Sequence, residues 1–573
     1  MSTSNVDEDT VMDIEMGLSS AEPLPTLTTV NFDVQRHIMD FLQTKDLSAL
    51  MRTCRLFSDI GLRPLCTRSG QALRTPKQLL SLLEFLRIQT PHSRAPLVKN
   101  LHFCLEEHRV PQDKASYFEL HVREPAYFTI SSNPLQEEHL LRASRNHALE
   151  AFLVILQHSC ELRRLQIDHW FDDVPTIPLY RAISSLTALE ELRMPMVPRP
   201  RWCTDFTLSS PALRTLVLRP GRWHEVPDAL TLLQPLAATL VELDLPVCRW
   251  ARSPAPFPAV RRLAIEFPAS DDVVLDLVHT FPSLTHLALG GTRNFHLCHA
   301  PSSRAEEDRL RAHAQRQWHA LALSPAPSVS TAGEGGARPW PSLVAVRAAS
   351  PCALYTLALP CKVPRVSVTY AAGDPADDML PRILIDASPT CLELRVAHAH
   401  YRYAPLPRRF AGLVPGDATA SLERVVLTIE GAAVPDYVKV AGMLVDELAG
   451  ALAPLRVTHV LLQHTLDHFP AARAHTRAVV RTVCADAPRR AAALARTAPA
   501  LRWVGVRVRV RAGPAWLYAW AVERAGRRGR GEDGEVEARF GMEMPMGARL
   551  KGMSEEEGWE VLAAEEMEEF ARA

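Results

Sequence analysis

Three side chains able to bind a borderline metal crowd into Asn294–His299, which reads N-F-H-L-C-H: His296, Cys298 and His299. A structural zinc centre takes about four ligands, usually as pairs from two separated stretches. No second pair with that spacing is present, so the segment reads as a loop after a strand. His398 and His400 stand two apart in AHAHYRY and would share one strand face, a pattern that fits an exposed strand or turn better than chelation. Gly333–Gly336 (GEGG) lacks the Lys-Ser/Thr that a phosphate loop needs. The acidic pairs Asp172/Asp173, Asp271/Asp272 and Asp377/Asp378 are poorly placed for joint acid–base work, because adjacent strand residues point to opposite faces. Asp271/Asp272 falls where a helix should start, which fits capping. Nucleophile-elbow, zincin and dinucleotide-binding spacings do not occur in their expected contexts. No catalytic, metal or cofactor site is expected, and the chain is not expected to be an enzyme.

Arg507, Arg509 and Arg511 alternate with Val506, Val508 and Val510, which would set a ridge of guanidinium groups on one strand face. Arg524, Arg527, Arg528 and Arg530 follow, and together they could hold RNA or an acidic peptide. Aromatic interleaving is sparse and the next segment is acidic, so internal charge pairing competes and nucleic acid is not the expected partner. The net charge of -1 over 573 residues gives no global field toward nucleic acid or an anionic membrane. The eleven cysteines are spread singly with no C-x-x-C pair, unlike a secreted disulfide scaffold. The N-terminal MSTSNVDEDTVMDIEMG is acidic and lacks the n-region and h-region of a signal peptide. No apolar stretch approaches a membrane span. Reduced thiols and a cytoplasmic or nuclear setting follow as expectations.

The elements that position these residues divide in two. Residues 1–23 are polar and acidic and are expected to be disordered. Residues 24–70 form a helical module, with a helix from Asn31 to Leu42 capped by Asn31. A second helix after Asp46 carries Leu47, Leu50, Met51 and Cys54 at i, i+3, i+4 and i+7. A third carries Leu56, Phe57, Ile60, Leu62 and Leu65. Thr75-Pro76 opens another helix through Leu86.

After that a triplet recurs, with apolar residues at i, i+3 and i+5. It runs through Val98/Leu101/Phe103, Leu162/Leu165/Ile167, Leu189/Leu192/Met194, Leu213/Leu216/Leu218, Leu240/Leu243/Leu245, Val260/Leu263/Ile265 and Leu284/Leu287/Leu289. From Leu162 to Leu284 the copies start 20–27 residues apart, within the roughly 20–29-residue period of leucine-rich repeats. Helical stretches at 147–157, 178–186, 227–236 and 271–280 precede strands. One unit is therefore helix, turn, strand, and it can bury its apolar face only by stacking on its neighbours. Residues 71–299 are read as this solenoid, 300–340 as an exposed insertion or linker, 341–523 as a degenerate continuation, and 524–573 as a charged tail with a terminal helix at 555–570. Further copies are read at Leu343/Val346, Leu422/Val425/Leu427, Val457/Val460/Leu462 and Leu501/Val504/Val506. The fold class expected is α/β, a three-helix module followed by an irregular leucine-rich-repeat solenoid with parallel strands and outer helices.

Val30–Cys66 resembles the F-box. Asp33 and Val34 match the family's acidic residue and first apolar residue, Ile38 its Ile, Leu42 its Leu, Asp46-Leu47 the opening of its second helix, and Cys54-Arg55 the lead into its third. Val30-Asn31 stands at the family's Leu-Pro, Gln35 at its second apolar position, and Phe57 replaces its Trp. The resemblance implies docking on the Skp-type adaptor of a Skp–cullin–F-box ubiquitin ligase, through Val34, Ile38, Leu42, Leu47, Leu50, Met51, Cys54 and Phe57. It further implies that the repeats hold a substrate protein, whose identity the sequence does not reveal. The competing readings are a protein-binding repeat scaffold whose N-terminal helices only cap the array, and an RNA-associated repeat protein using the C-terminal arginines.

Overall fold

A computed structural model of the chain describes residues 31–42, 44–54, 56–57, 60–61, 64, 73, 75–87, 98–104, 147–168, 176–195, 208, 210–219, 226–227, 229–245, 248–249, 255–265, 273–290, 304–323, 340, 342–370, 379–397, 419–432, 437–467, 473–510, 515–524 and 548–564. The clusters at 296–299, 333–336 and 398–400, and the acidic pairs at 172–173, 271–272 and 377–378, lie outside these residues.

The recurring triplets become strands. β1 (Asn100–Phe103), β2 (Arg164–Ile167), β3 (Glu191–Pro195) and β4 (Thr215–Arg219) are short. So are β6 (Glu242–Leu245), β8 (Arg262–Ile265), β9 (His286–Leu289) and β10 (Ala345–Ala348), while the two-residue strands β5 (Val226–Pro227) and β7 (Cys248–Arg249) pair apart from the rest. Longer strands follow: β11 (Arg365–Tyr370), β12 (Cys391–Ala397), β13 (Arg424–Ala432), β14 (His459–Asp467), β15 (Trp503–Val510), β16 (Ala515–Arg524) and β17 (Ala548–Met553). Apart from β5 and β7 they form one unclosed 15-stranded sheet in chain order. It is parallel from β1 to β15 and antiparallel across β15, β16 and β17.

Register explains why the stack holds. The middle residue of each triplet lies opposite the middle residue of the next: Leu101, Leu165, Leu192, Leu216, Leu243, Leu263, Leu287, Val346, Val366, Leu392, Val425, Val460 and Val504 form one continuous row. All are buried, and each buried side chain of this size gives about 1.5–3 kcal/mol. A one-residue slip would turn the whole row to the other face. A forked backbone bond repeats at the strand entrances. The N–H groups of Arg163 and Arg164 both donate to Lys99 C=O, at 2.7 and 3.0 Å, and Glu190/Glu191, Arg214/Thr215, Val241/Glu242 and Arg261/Arg262 do the same to the preceding strand.

Helices cover one face. Residues 147–158 stack Phe152 on Phe103, with ring centroids 4.3 Å apart. Thr176–Ser184, Val273–Thr280, Tyr437–Leu452 and Arg473–Thr497 follow, feeding Leu179, Ile183, Leu277, Leu444, Leu448, Leu494 and others into one core shared with the strands. The helix at Pro76–Arg87 begins with reciprocal caps, Gln78 N–H to Thr75 Oγ1 and Thr75 N–H to Gln78 Oε1, each 3.2 Å. Thr75→Ala is expected to cost about 1 kcal/mol in urea unfolding. No helix among the described residues is long and apolar enough to cross a membrane.

Two segments depart from the sequence reading. Arg304–Leu323, expected within an exposed linker, is a 20-residue helix. Arg311 donates to Tyr355 C=O (2.8 Å) and to Asp386 (3.0 Å), and Trp318 Nε1 donates to Leu357 C=O (2.8 Å). These bonds dock it on the helices at Pro351–Leu357 and Met379–Ala387. The charged tail contributes the unexpected strand β17 beside the expected terminal helix, which runs over Glu555–Ala564. That helix packs Leu562 on Leu461, Trp503, Leu517 and Ala519, on the sheet face opposite the other helices.

Candidate functional site

The N-terminal helices form a small unit with its own interior. Asn31 Oδ1 accepts from Asp33 N–H at 2.9 Å, capping the helix Phe32–Phe41. Met39, Leu47, Phe57 and Ile60 make a core that, among the described residues, shares no residue with the main one, and Leu42, Leu50, Met51 and Cys54 pack against it half-buried. Gly61 lets the third helical stretch approach the second, since a Cβ there would lie 2.5 Å from Met51 Cγ. Gln35 and Met39 point inward, so the inward face is Gln35–Met39–Leu42, and Val34 and Phe41 face outward.

Of the eight residues expected to dock a partner, Leu47 and Phe57 are buried inside the unit and hold its helices together. Ile38, Leu42, Leu50, Met51 and Cys54 are half-buried, and Val34 is exposed. Phe32 (55% exposed), Phe41 (77%) and Leu56 (42%) join Val34 (47%) as large apolar side chains in water. These three were absent from the expected docking set, because helical spacing locates an apolar stripe but not which of two stripes the chain itself covers.

The second feature is the sheet face that the outer helices leave open. Alternation aims the residues between the buried leucines to this side. One cross-strand row reads His102, Gln166, Arg193, Val217, Asp244, Ala264, Ala288, Arg347, Ser367, Glu393, Val426, Leu461, Gly505. The small Ala264 and Ala288, with Ala345 beside them, floor a groove of about 260 Å³. Acidic Glu242 and Asp244 stand at one end, and Arg347, Arg365 and Arg395 at the other.

The basic end is built on Glu393, which is 1% exposed. Its carboxylate accepts from Ser367 Oγ (2.6 Å) and Thr428 Oγ1 (3.1 Å), and Arg395 Nε lies 2.7 Å away. Arg395 also reaches Glu430 at 3.3 Å. Desolvation, and next the Arg395 charge, depress the pKa of Arg347. The Ser367 proton is directed at Glu393, and the groove presents fixed charges of both signs, an arrangement suited to holding a polar peptide surface.

The predicted arginine ridge is not an open surface. Arg507 is 6% exposed and lies under the Trp559 ring at 5.2 Å, its pKa lowered by burial and then by Arg509. Arg509 is half-buried. Arg511, Arg527, Arg528 and Arg530 lie outside the described residues, as does the side chain of Arg524.

A buried polar cluster lies on the helix side. His464, fully buried on β14, has Nδ1 3.0 Å from the Tyr437 hydroxyl, which donates to Ile429 C=O at 3.1 Å. Burial, and then the Arg490 charge, lower the His464 pKa to about 3. Burial raises that of Tyr437.

In comparison with known proteins, the chain matches no family model and no curated protein sequence.

Proposed function

We propose that the chain is a substrate-recognition adaptor of a Skp–cullin–F-box ubiquitin ligase. In this reading residues 24–70 are an F-box-like module docked on the Skp-type adaptor, and the stacked sheet is an irregular leucine-rich-repeat solenoid holding a substrate protein. One observation carries it: the N-terminal helices own a separate core yet leave Phe32, Val34, Phe41 and Leu56 in water. A unit that merely capped the array would turn its apolar face onto the first repeat. Apolar side chains concentrated outside a finished core favour a partner surface. The repeats supply the complementary part, an open groove with charges of both signs, and specificity at protein interfaces rests on such charge patterns.

The test is capture of the full chain on immobilised Skp-type adaptor. Val34→Asp with Phe41→Asp changes two exposed side chains, so folding is retained. Each loss of a central apolar contact costs more than about 1 kcal/mol, and binding is expected to fall at least about tenfold. Failure of the unaltered chain to bind, or full binding by the double variant, removes the ligase reading.

A further inference from the structure

We propose that His102, Cys104 and Asp168 form a zinc site on the first two strands of the sheet, a reading independent of any ligase role. Their ligand atoms all lie within 4.8 Å of one another. The cause is register. His102 on β1 lies opposite Gln166 on β2, so two residues further on Cys104 and Asp168 come side by side on the same face. The backbone holds both, with Asp168 N–H donating to Phe103 C=O at 2.9 Å and Cys104 N–H to Leu73 C=O at 3.1 Å.

His102 Nε2 is 2.6 Å from Asp168 Oδ2, and Gln166 Nε2 donates to Asp168 Oδ1 at 2.9 Å. That second bond orients the carboxylate from behind, as outer partners of metal ligands do. The donor set is one sulfur, one nitrogen and one oxygen. Magnesium and calcium select oxygen cages, whereas imidazole with thiolate selects zinc among abundant divalent ions. Around a tetrahedral zinc such donors stand roughly 3.4 Å apart, so small side-chain rotations close the cluster. The His102 and Asp168 side chains are 24% and 16% exposed, leaving a path for the ion and a fourth position for water or a partner's side chain.

The test uses the purified full chain under a non-thiol reductant, titrated with cobalt(II) as the spectroscopic probe and back-titrated with zinc(II). A thiolate-to-cobalt charge-transfer band with four-coordinate visible absorption is expected, displaced by zinc. Cys104→Ser should abolish the charge-transfer band, and Asp168→Asn should weaken binding at least tenfold. Gln166→Leu should weaken it by about 10–100-fold. Cys160→Ser, at an exposed thiol elsewhere, should leave it unchanged. Asp168→Asn preserves side-chain size and decides the matter if Cys104→Ser fails to fold. Absence of the band in the unaltered chain overturns the proposal, as does a band that persists at full strength in Cys104→Ser or Asp168→Asn.

Discussion

Glu393→Ala is expected to lower the unfolding free energy by about 3–5 kcal/mol, the cost of leaving a buried charge without its partner. Glu393 and Arg395 side chains are 1% and 7% exposed, and Glu430, 3.3 Å from Arg395, is itself 31% exposed. Removing the carboxylate therefore strands a guanidinium that only a partly solvated acid can neutralise. It also takes the acceptor from Ser367 and Thr428, and each orphaned buried hydroxyl adds roughly 1 kcal/mol or more. Arg347, whose pKa burial and then the Arg395 charge depress, would also lose the opposing Glu393 charge. Urea unfolding followed by tryptophan fluorescence checks this. Glu423→Ala is the control: Glu423 is 58% exposed and 4.0 Å from Arg424, and an exposed pair of this kind gives about 0–1 kcal/mol. Glu393→Leu with Arg395→Met should recover most of the loss, because an apolar replacement removes both charges together. A loss below about 1 kcal/mol in Glu393→Ala would show that water reaches the pair.

Stability should also fall steeply as pH drops from 6.5 toward 3, and His464 should carry much of the slope. The Tyr437 hydroxyl directs its proton to Ile429, so His464 Nδ1 donates to the Tyr437 oxygen and Nε2 is the nitrogen left to be charged. Nε2 is buried with no hydrogen-bond partner among the described residues. Burial away from water, and then the Arg490 charge, oppose a proton there, which accounts for a folded pKa of about 3. The unfolded chain titrates near 6.5. Between the two values the unfolded state binds more protons, so stability rises with pH and is lost on acidification. The slope approaches about 1.4 kcal/mol per pH unit, and the loss from pH 6 to pH 4 is roughly 2–3 kcal/mol. Asp486, whose carboxyl Arg489 and Arg490 hold below its usual range, adds acid sensitivity of the same sign at lower pH. The decisive comparison is therefore between chains. His464→Gln keeps a polar side chain without a titration in this range, and its urea midpoints should vary less with pH by the amount above. Parallel pH profiles for the two chains would rule His464 out as the source.

The row of buried leucines and valines could be read from the amino-acid order alone, because alternation and the spacing of i, i+3 and i+5 are local and survive irregular repeat lengths. β11 and β12 do not stand out in that pattern, although Val363/Val366/Val368 repeats the same triplet and Leu392/Leu394 repeats its last two members. Valine and proline in place of leucine hid the period. The helix Arg304–Leu323 was invisible for a different reason. Its buried positions include Glu307, Arg311 and Gln317, so no apolar stripe marks it. It is fixed by bonds to Tyr355, Leu357 and Asp386, which lie tens of residues away in the chain.

Tertiary structure alone decided the rest. Which stripe of the first helix meets water depends on what the second and third stretches cover, and they take Gln35 and Met39 and leave Val34 and Phe41. The arginine ridge was legible as alternation and the terminal helix as a helix, but the docking that lays Trp559 over Arg507 was not. Asp168 stands far from His102 and Cys104 in sequence, and only the pairing of β1 with β2 brings it beside them. Periodicity reports which residues share a face of one element. Register and docking, which depend on the summed packing of many elements, determine which faces meet.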